Sequence, residues 1–167
     1  LKNIDYFYFS KLNRFQKETF KILKLNSIKI IDSKLNKHCL MENLIFCTHP
    51  NYFKGTISDA HSNIPKWIIR YLRKTFLTAA DKKIEKHKKI YIDRSDSRYN
   101  HCKIINDSEI KEYLKNQGFQ IIRLSKHSLK KQVSIFKSCN YVIGPHGAGL
   151  ANLIFCKRKT KVLESMK

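Results

Sequence analysis

From Lys88 onward the chain alternates between short apolar runs and amphipathic segments, and the order of the two predicts the fold. Ile90-Tyr91-Ile92 reads as a strand. Asp107 can cap a helix that turns Ile110, Tyr113 and Leu114 inward and stops at Gly118. Phe119 to Leu124 makes a second strand, and Ser128 can cap a helix with Leu129, Val133 and Phe136 inward. Tyr141-Val142-Ile143 is a third strand, Gly144 to Gly149 a tight turn, Leu150 to Phe155 a short helix and Lys161 to Leu163 a fourth strand. Strands and helices in regular alternation predict an α/β fold with a parallel, doubly wound sheet.

Upstream the signal is weaker. Residues 1–64 mix short apolar runs (Tyr6 to Phe9, Ile28 to Ile31, Asn43 to Cys47) with connectors rich in Lys and Asn, which predicts a mixed and irregular region. Behind Pro65, the residues Trp67, Ile68, Tyr71, Leu72, Phe76 and Ala79 or Ala80 recur at three and four. That spacing predicts an amphipathic helix over 65–87.

The 34 Lys and Arg against 13 Asp and Glu give a formal charge of +21, which invites an anionic partner: nucleic acid, a membrane surface or a phosphorylated ligand. Residues 1–87 carry 17 basic and 7 acidic side chains and residues 88–167 carry 17 and 6, so the excess is spread evenly instead of forming a local stripe. Only seven of the 34 are Arg, the residue favoured for bidentate phosphate and base contacts. Abundant Lys beside abundant Asn and Ile also fits a compositional habit of the source genome. No run approaches the roughly 18 uncharged apolar residues of a membrane span. Cys39, Cys47, Cys102, Cys139 and Cys156 are odd in number and lack Cys-x-x-Cys or zinc-site spacing, so buried free thiols in a reducing compartment are expected. The chain begins with Leu1, and a leader or anchor before it is not judged.

Chemistry concentrates at two places. Gly144-Pro145-His146-Gly147-Ala148-Gly149-Leu150 follows a predicted strand and opens a predicted helix, so its amides can hold an anion, most often a phosphate, to which His146 can add a hydrogen bond. The competing reading is a glycine-rich turn with no ligand. The order G-x-x-G-x-G is not the dinucleotide fingerprint, and no G-x-S-x-G elbow accompanies the His-Gly-Ala-Gly run, which disfavours nicotinamide enzymes and serine hydrolases. In Tyr91 to Arg98 a strand hands Arg94 and Arg98 to a loop, followed by Lys103, and all three can neutralise a diphosphate at the same sheet edge. The alternative is a solvated loop with Asp93 or Asp96 paired to Arg98.

Taken together, Tyr91-Ile92-Asp93-Arg94, Ile105-Asn106-Asp107, Gly118-Phe119, Gln132, Ile143 to Leu150, Asn152, Phe155 and Glu164 closely resemble glycosyltransferase family 61. That family includes capsular polysaccharide biosynthesis proteins and O-linked N-acetylglucosaminyl- and xylosyltransferases. The resemblance implies an inverting transferase of GT-B type, with two Rossmann-like lobes and a nucleotide sugar, UDP-linked, in the C-terminal one. Residues 88–167 would be that donor lobe, cut short at its C-terminus, 65–87 a connecting helix and 1–64 the remnant of the acceptor-side lobe. Arg94 and the turn His146, Gly147, Ala148 and Gly149 would contact the diphosphate. Gln132 and Asn152 would support the pocket, and Glu164 could take ribose hydroxyls; helix surface or a local cap competes for the first two, an exposed carboxylate for the third.

Where the family has paired arginines before its Ile-x-Asn element, this chain has Cys102-Lys103, which keeps charge but loses the planar fork. The implied reaction is direct displacement by an acceptor hydroxyl of a glycan or glycoprotein, without a metal or other cofactor. Asp59 and His61 are the candidates for its general base, each with a solvated loop residue as the alternative. Expected settings are the cytoplasm or the cytoplasmic membrane surface in a bacterium, or the Golgi or ER lumen in a eukaryote. The other classes considered are a basic nucleic-acid-binding module and an inactive, truncated donor lobe.

Overall fold

The computed structural model describes residues 4–47, 64–80, 88–97 and 104–165. Contacts divide the chain into two units, 1–75 and 76–167. In the first unit, strand β1 (Tyr6–Phe9), helix α1 (Arg14–Ile22) and strand β2 (Lys29–Asp32) form a parallel β-α-β hairpin, with Tyr6 opposite Lys29 and Phe9 opposite Asp32. The two strands coincide with apolar runs of the sequence, whereas Asn43 to Cys47 forms no element. Helix α1 begins with a reciprocal cap: Asn13 accepts from the Gln16 amide at 3.1 Å and the Gln16 side chain accepts from the Asn13 amide at 2.9 Å. Phe7, Phe9 and Phe20 meet at ring-centroid distances of 5.2 to 5.9 Å.

Helix α2 (Lys66–Thr78) starts directly after Pro65, as the spacing predicts, but it ends before Ala79 and Ala80, which form a bend instead of continuing the expected helix, and residues 81–87 lie outside the described residues. Its expected inward stripe is only partly inward: Trp67 and Tyr71 are exposed, while Phe76, the first residue of the second unit, is buried against Phe155 with ring centroids 5.9 Å apart.

The second unit is built from β3 (Lys89–Ile92), α3 (Asp107–Asn116), β4 (Gln120–Ile122), α4 (Leu129–Ser138), β5 (Tyr141–Pro145) and β6 (Lys161–Ser165). Its four strands are all parallel, in the order β4-β3-β5-β6. Mixed α/β structure on parallel strands is thus what the alternation of the sequence predicts. Ile90, Tyr91, Ile92 and Val142 are almost wholly buried, because a central parallel strand is covered on both faces. Val133, Ile135, Phe136 and Cys139 complete this core. Cys139 and Cys156 are buried as expected, and burial, reinforced by Cys156, pushes the Cys139 thiol up to about 12. Cys39 and Cys47 are exposed, contrary to the expectation for the cysteines; their apolar neighbours lie in a stretch with no regular structure to bury them.

Three local expectations shift. Asn106, not Asp107, is the N-cap of α3, and Asp107 opens the helix. Leu124 leaves the strand for a short 3-10 turn, Leu124–Lys126. The segment after the glycine turn is a 3-10 helix spanning Ala148–Phe155. Ser128 caps α4 as predicted, accepting from the Lys131 amide at 3.3 Å.

The order β4-β3-β5 positions the functional region. The chain leaves β3 towards one side to build β4 and returns on the other side to build β5, so the strand order reverses between β3 and β5. At such a point the connections leaving the two strands diverge and open a crevice at their carboxyl ends.

Gly118 ends α3 with φ +77° and open space around its Cα. A side chain there meets no neighbour but must adopt the left-handed conformation. Gly118→Ala is expected to lower the unfolding free energy by about 1 kcal/mol in urea titration, and Gly118→Asn by less.

Candidate functional site

Two segments leave the carboxyl ends of β3 and β5, and they meet. Arg94, half-buried, donates through Nη1 to the carbonyl oxygen of His146 across 52 positions of sequence. Gly147 sits at φ +151° and ψ −179°, a conformation that essentially only glycine adopts. A Cβ there would coincide with the Arg94 guanidinium, so the glycine provides both the backbone bend and the space for the arginine.

The 3-10 helix opens at Ala148, and the first amides of such a turn have no carbonyl of their own helix within reach. No side chain caps them. The Gly147 bend therefore combines uncapped amides with one guanidinium, a set suited to a multiply charged oxyanion. Asn152 donates to the Gly149 carbonyl at 3.2 Å and to Gln132 Oε1 at 3.2 Å. Gln132 in turn donates to the carbonyls of Leu124 at 2.9 Å and His127 at 3.2 Å. These two side chains thus tie the turn to the loop after β4, a supporting geometry.

Beneath Arg94 lies Asp93, 6% exposed, whose carboxylate is surrounded by donors. Lys111 reaches Oδ1 at 2.8 Å, Arg123 reaches Oδ2 through Nη2 at 2.8 Å and Nε at 3.1 Å, and Ser95 adds its amide at 2.9 Å and hydroxyl at 3.1 Å. Burial alone would raise the pKa of this carboxyl, but the bonds from Lys111, the Ser95 amide and Arg123 outweigh it and hold the group well below the usual carboxylate range. Lys111 also pairs with Asp107, which accepts the Tyr91 hydroxyl at 2.8 Å. Burial, together with that bond, raises the Tyr91 phenol above its ordinary value. For Lys111, burial pushes downward, but its bonds to Asp107 and Asp93 win and keep it charged. Asp93 is therefore not solvated, Asp96 accepts from Ser125, and the alternative pairing with Arg98 lies outside the described residues. This buried network was missed in the sequence because its members are 18 and 30 positions apart.

His146 and Glu164 form a second pair, with Nδ1 and Oε1 2.6 Å apart. Asp59, His61, Arg98 and Lys103 lie outside the described residues. Among the described residues, no group of three His, Cys, Asp or Glu could hold a metal ion, and no helix is long and apolar enough to cross a membrane.

The Asp93 network makes a testable demand. Asp93→Asn leaves Lys111 and Arg123 without their shared anion and should cost about 3 kcal/mol of stability, towards the low end for a buried pair because Arg123 remains partly exposed. Because the folded carboxyl is the stronger acid, the unfolded chain takes up the Asp93 proton first as pH falls below about 4. The stabilisation is thus present at neutral pH and lost in acid. Urea titrations from pH 7 to pH 3 should show a shallower acid decline for Asp93→Asn than for the unsubstituted chain.

No curated protein matches this chain. The model of the family Glycosyltransferase 61 matches residues 6–163, which takes in Arg94, the Gly147 turn and both parallel sheets up to Leu163 in β6. Its sequence, read over nearly its whole length, places the chain in glycosyltransferase family 61, a family of sugar-transferring enzymes.

Proposed function

We propose that this chain transfers a sugar from a nucleotide sugar, UDP-linked, to a hydroxyl of a glycan or glycoprotein with inversion at the anomeric carbon, in the setting of capsular or surface polysaccharide synthesis. The second unit is read as the donor lobe of a GT-B enzyme, with the diphosphate seated at the crevice between β3 and β5. The observation that carries this is the approach of the Arg94 guanidinium to the Gly147 backbone at that crevice, in a chain of a glycosyltransferase family. Family membership favours this reading over a nucleic-acid-binding module, and the evenly spread basic charge has no local stripe to argue otherwise.

The chemistry follows from charge. The acceptor oxygen attacks the anomeric carbon, a new C–O bond forms, and the bond to the phosphate oxygen breaks with its electron pair passing to the nucleoside diphosphate. A general base takes the hydroxyl proton; Asp59 and His61 are the candidates in the sequence. The departing diphosphate gains negative charge as the bond breaks, and fixed donors aimed at it lower the barrier. A guanidinium has five N–H groups, so Arg94 can keep its bond to the His146 carbonyl and still give a pair to phosphate oxygens. The Ala148 and Gly149 amides, Lys103 and Arg98 add to this, and no metal or other cofactor is assigned a step.

A thermal-shift screen against UDP, GDP, CMP and their sugars tests the reading, since a ligand selective for the folded state raises Tm. UDP and a UDP-sugar should raise it, with Arg94→Ala and His146→Ala each weakening UDP affinity about ten- to hundredfold, the worth of one charge-assisted hydrogen bond. No shift with any nucleotide, or unchanged affinity in both variants, would remove the proposed site.

A further inference from the structure

Glu164 faces His146 because of strand register. In the parallel pair β5 and β6, Gly144 lies opposite Glu164 and Pro145 opposite Ser165, and the His146 amide continues the ladder to the Ser165 carbonyl at 2.9 Å. Side chains two positions apart share a face of a sheet. His146, two beyond Gly144, therefore projects on the same face as Glu164, at the diagonal separation that long side chains can bridge. Gly144 contributes no side chain between them. The result is the 2.6 Å contact between Nδ1 and Oε1.

A carboxylate facing a ring nitrogen accepts its hydrogen, so Nδ1 carries a proton and Nε2 is the position left for a ligand. The imidazole is 61% exposed and Glu164 38%, which leaves the Nε2 edge open. In the doubly protonated ring, Nδ1 donates to Glu164 while Nε2 donates outward, and the carboxylate balances the added charge. His146 immediately precedes the Gly147 bend, so Nε2–H is presented beside the uncapped amides and Arg94.

From this geometry we infer that Glu164 is a positioning residue: it anchors the His146 ring through Nδ1–H and balances the charge of the doubly protonated ring, whose Nε2–H then meets the diphosphate, and it does not itself bind the ribose. The role rests on the donor reading of the Gly147 turn. It gives the fourth parallel strand a functional task, since a one-residue slip of β6 would turn Glu164 to the opposite face.

Two measurements separate the role from its alternatives. Long-range 1H–15N spectra of the ligand-free protein, with His146 assigned through His146→Gln, should show a ring protonated at Nδ1; Glu164→Ala should release it to the Nε2–H tautomer that free imidazole side chains prefer. Glu164→Gln, whose Oε1 can still accept from Nδ1, should restore most of the original pattern. Calorimetric titration with inorganic pyrophosphate and with UDP should then show Glu164→Ala weakening both by a similar factor of about fivefold, and having no further effect in a His146→Ala background. Unchanged His146 spectra in Glu164→Ala, with UDP still bound by the unsubstituted chain, would overturn the positioning role alone. A loss for UDP with pyrophosphate unaffected would make Glu164 a ribose ligand and also overturn it. Failure of the unsubstituted chain to bind either ligand would sink the donor reading and this role together.

Discussion

The second unit depends on one buried carboxylate. Asp93 directly follows β3, one of the two inner strands, where the chain must leave a fully apolar core and present a cation one residue later. A charge at that depth is costly unless several donors meet it. Lys111 from α3, Arg123 from the end of β4 and the Ser95 amide and hydroxyl meet this one. The same bonds that stabilise the anion fix the course of the loop, and the loop delivers Arg94 to the turn after β5. Structure and recognition are thus joined through neighbouring residues: Asp93 points in, Arg94 points across.

The backbone supplies the other half. Reversal of strand order between β3 and β5 places two loops side by side at the carboxyl edge of the sheet. Gly147 then lets the second loop bend where no side chain could fit beneath the guanidinium. Gln132 and Asn152 tie that bend to the loop after β4, and the β5–β6 register brings Glu164 to His146. The contacts that join the segments, His146 to Glu164, Asn152 to Gln132 and Arg94 to His146, span 18, 20 and 52 positions, so the site is a property of the parallel sheet rather than of any single motif.

That origin explains what was legible in the sequence. Ile90 to Ile92, Tyr141 to Ile143 and Lys161 to Leu163 could be read as strands because they are short runs rich in β-branched and aromatic residues between turn signals, and Ser128 and Gly118 mark helix ends through local chemistry. The meeting of Arg94 with the glycine turn followed from topology alone, since parallel strands gather their carboxyl ends. The partners of Asp93 did not, because nothing local distinguishes Lys111 and Arg123 from the chain's many other cations. Helix α1 carried its Asn13-x-x-Gln16 cap in plain view, but its apolar positions were too few to set a period. Trp67 and Tyr71 kept the helical spacing without being buried, since spacing reports a face and not what covers it.

The central claim is that Arg94 and the Gly147 bend act as one anion site. A double-mutant cycle in UDP affinity, with Arg94→Ala, Gly147→Ala and the two combined, tests it most directly. If they are one site, Gly147→Ala displaces the guanidinium, and the double variant binds UDP little worse than the weaker of the two single variants. Losses that simply add, or a Gly147→Ala variant that binds UDP as well as the unsubstituted chain, would contradict the claim.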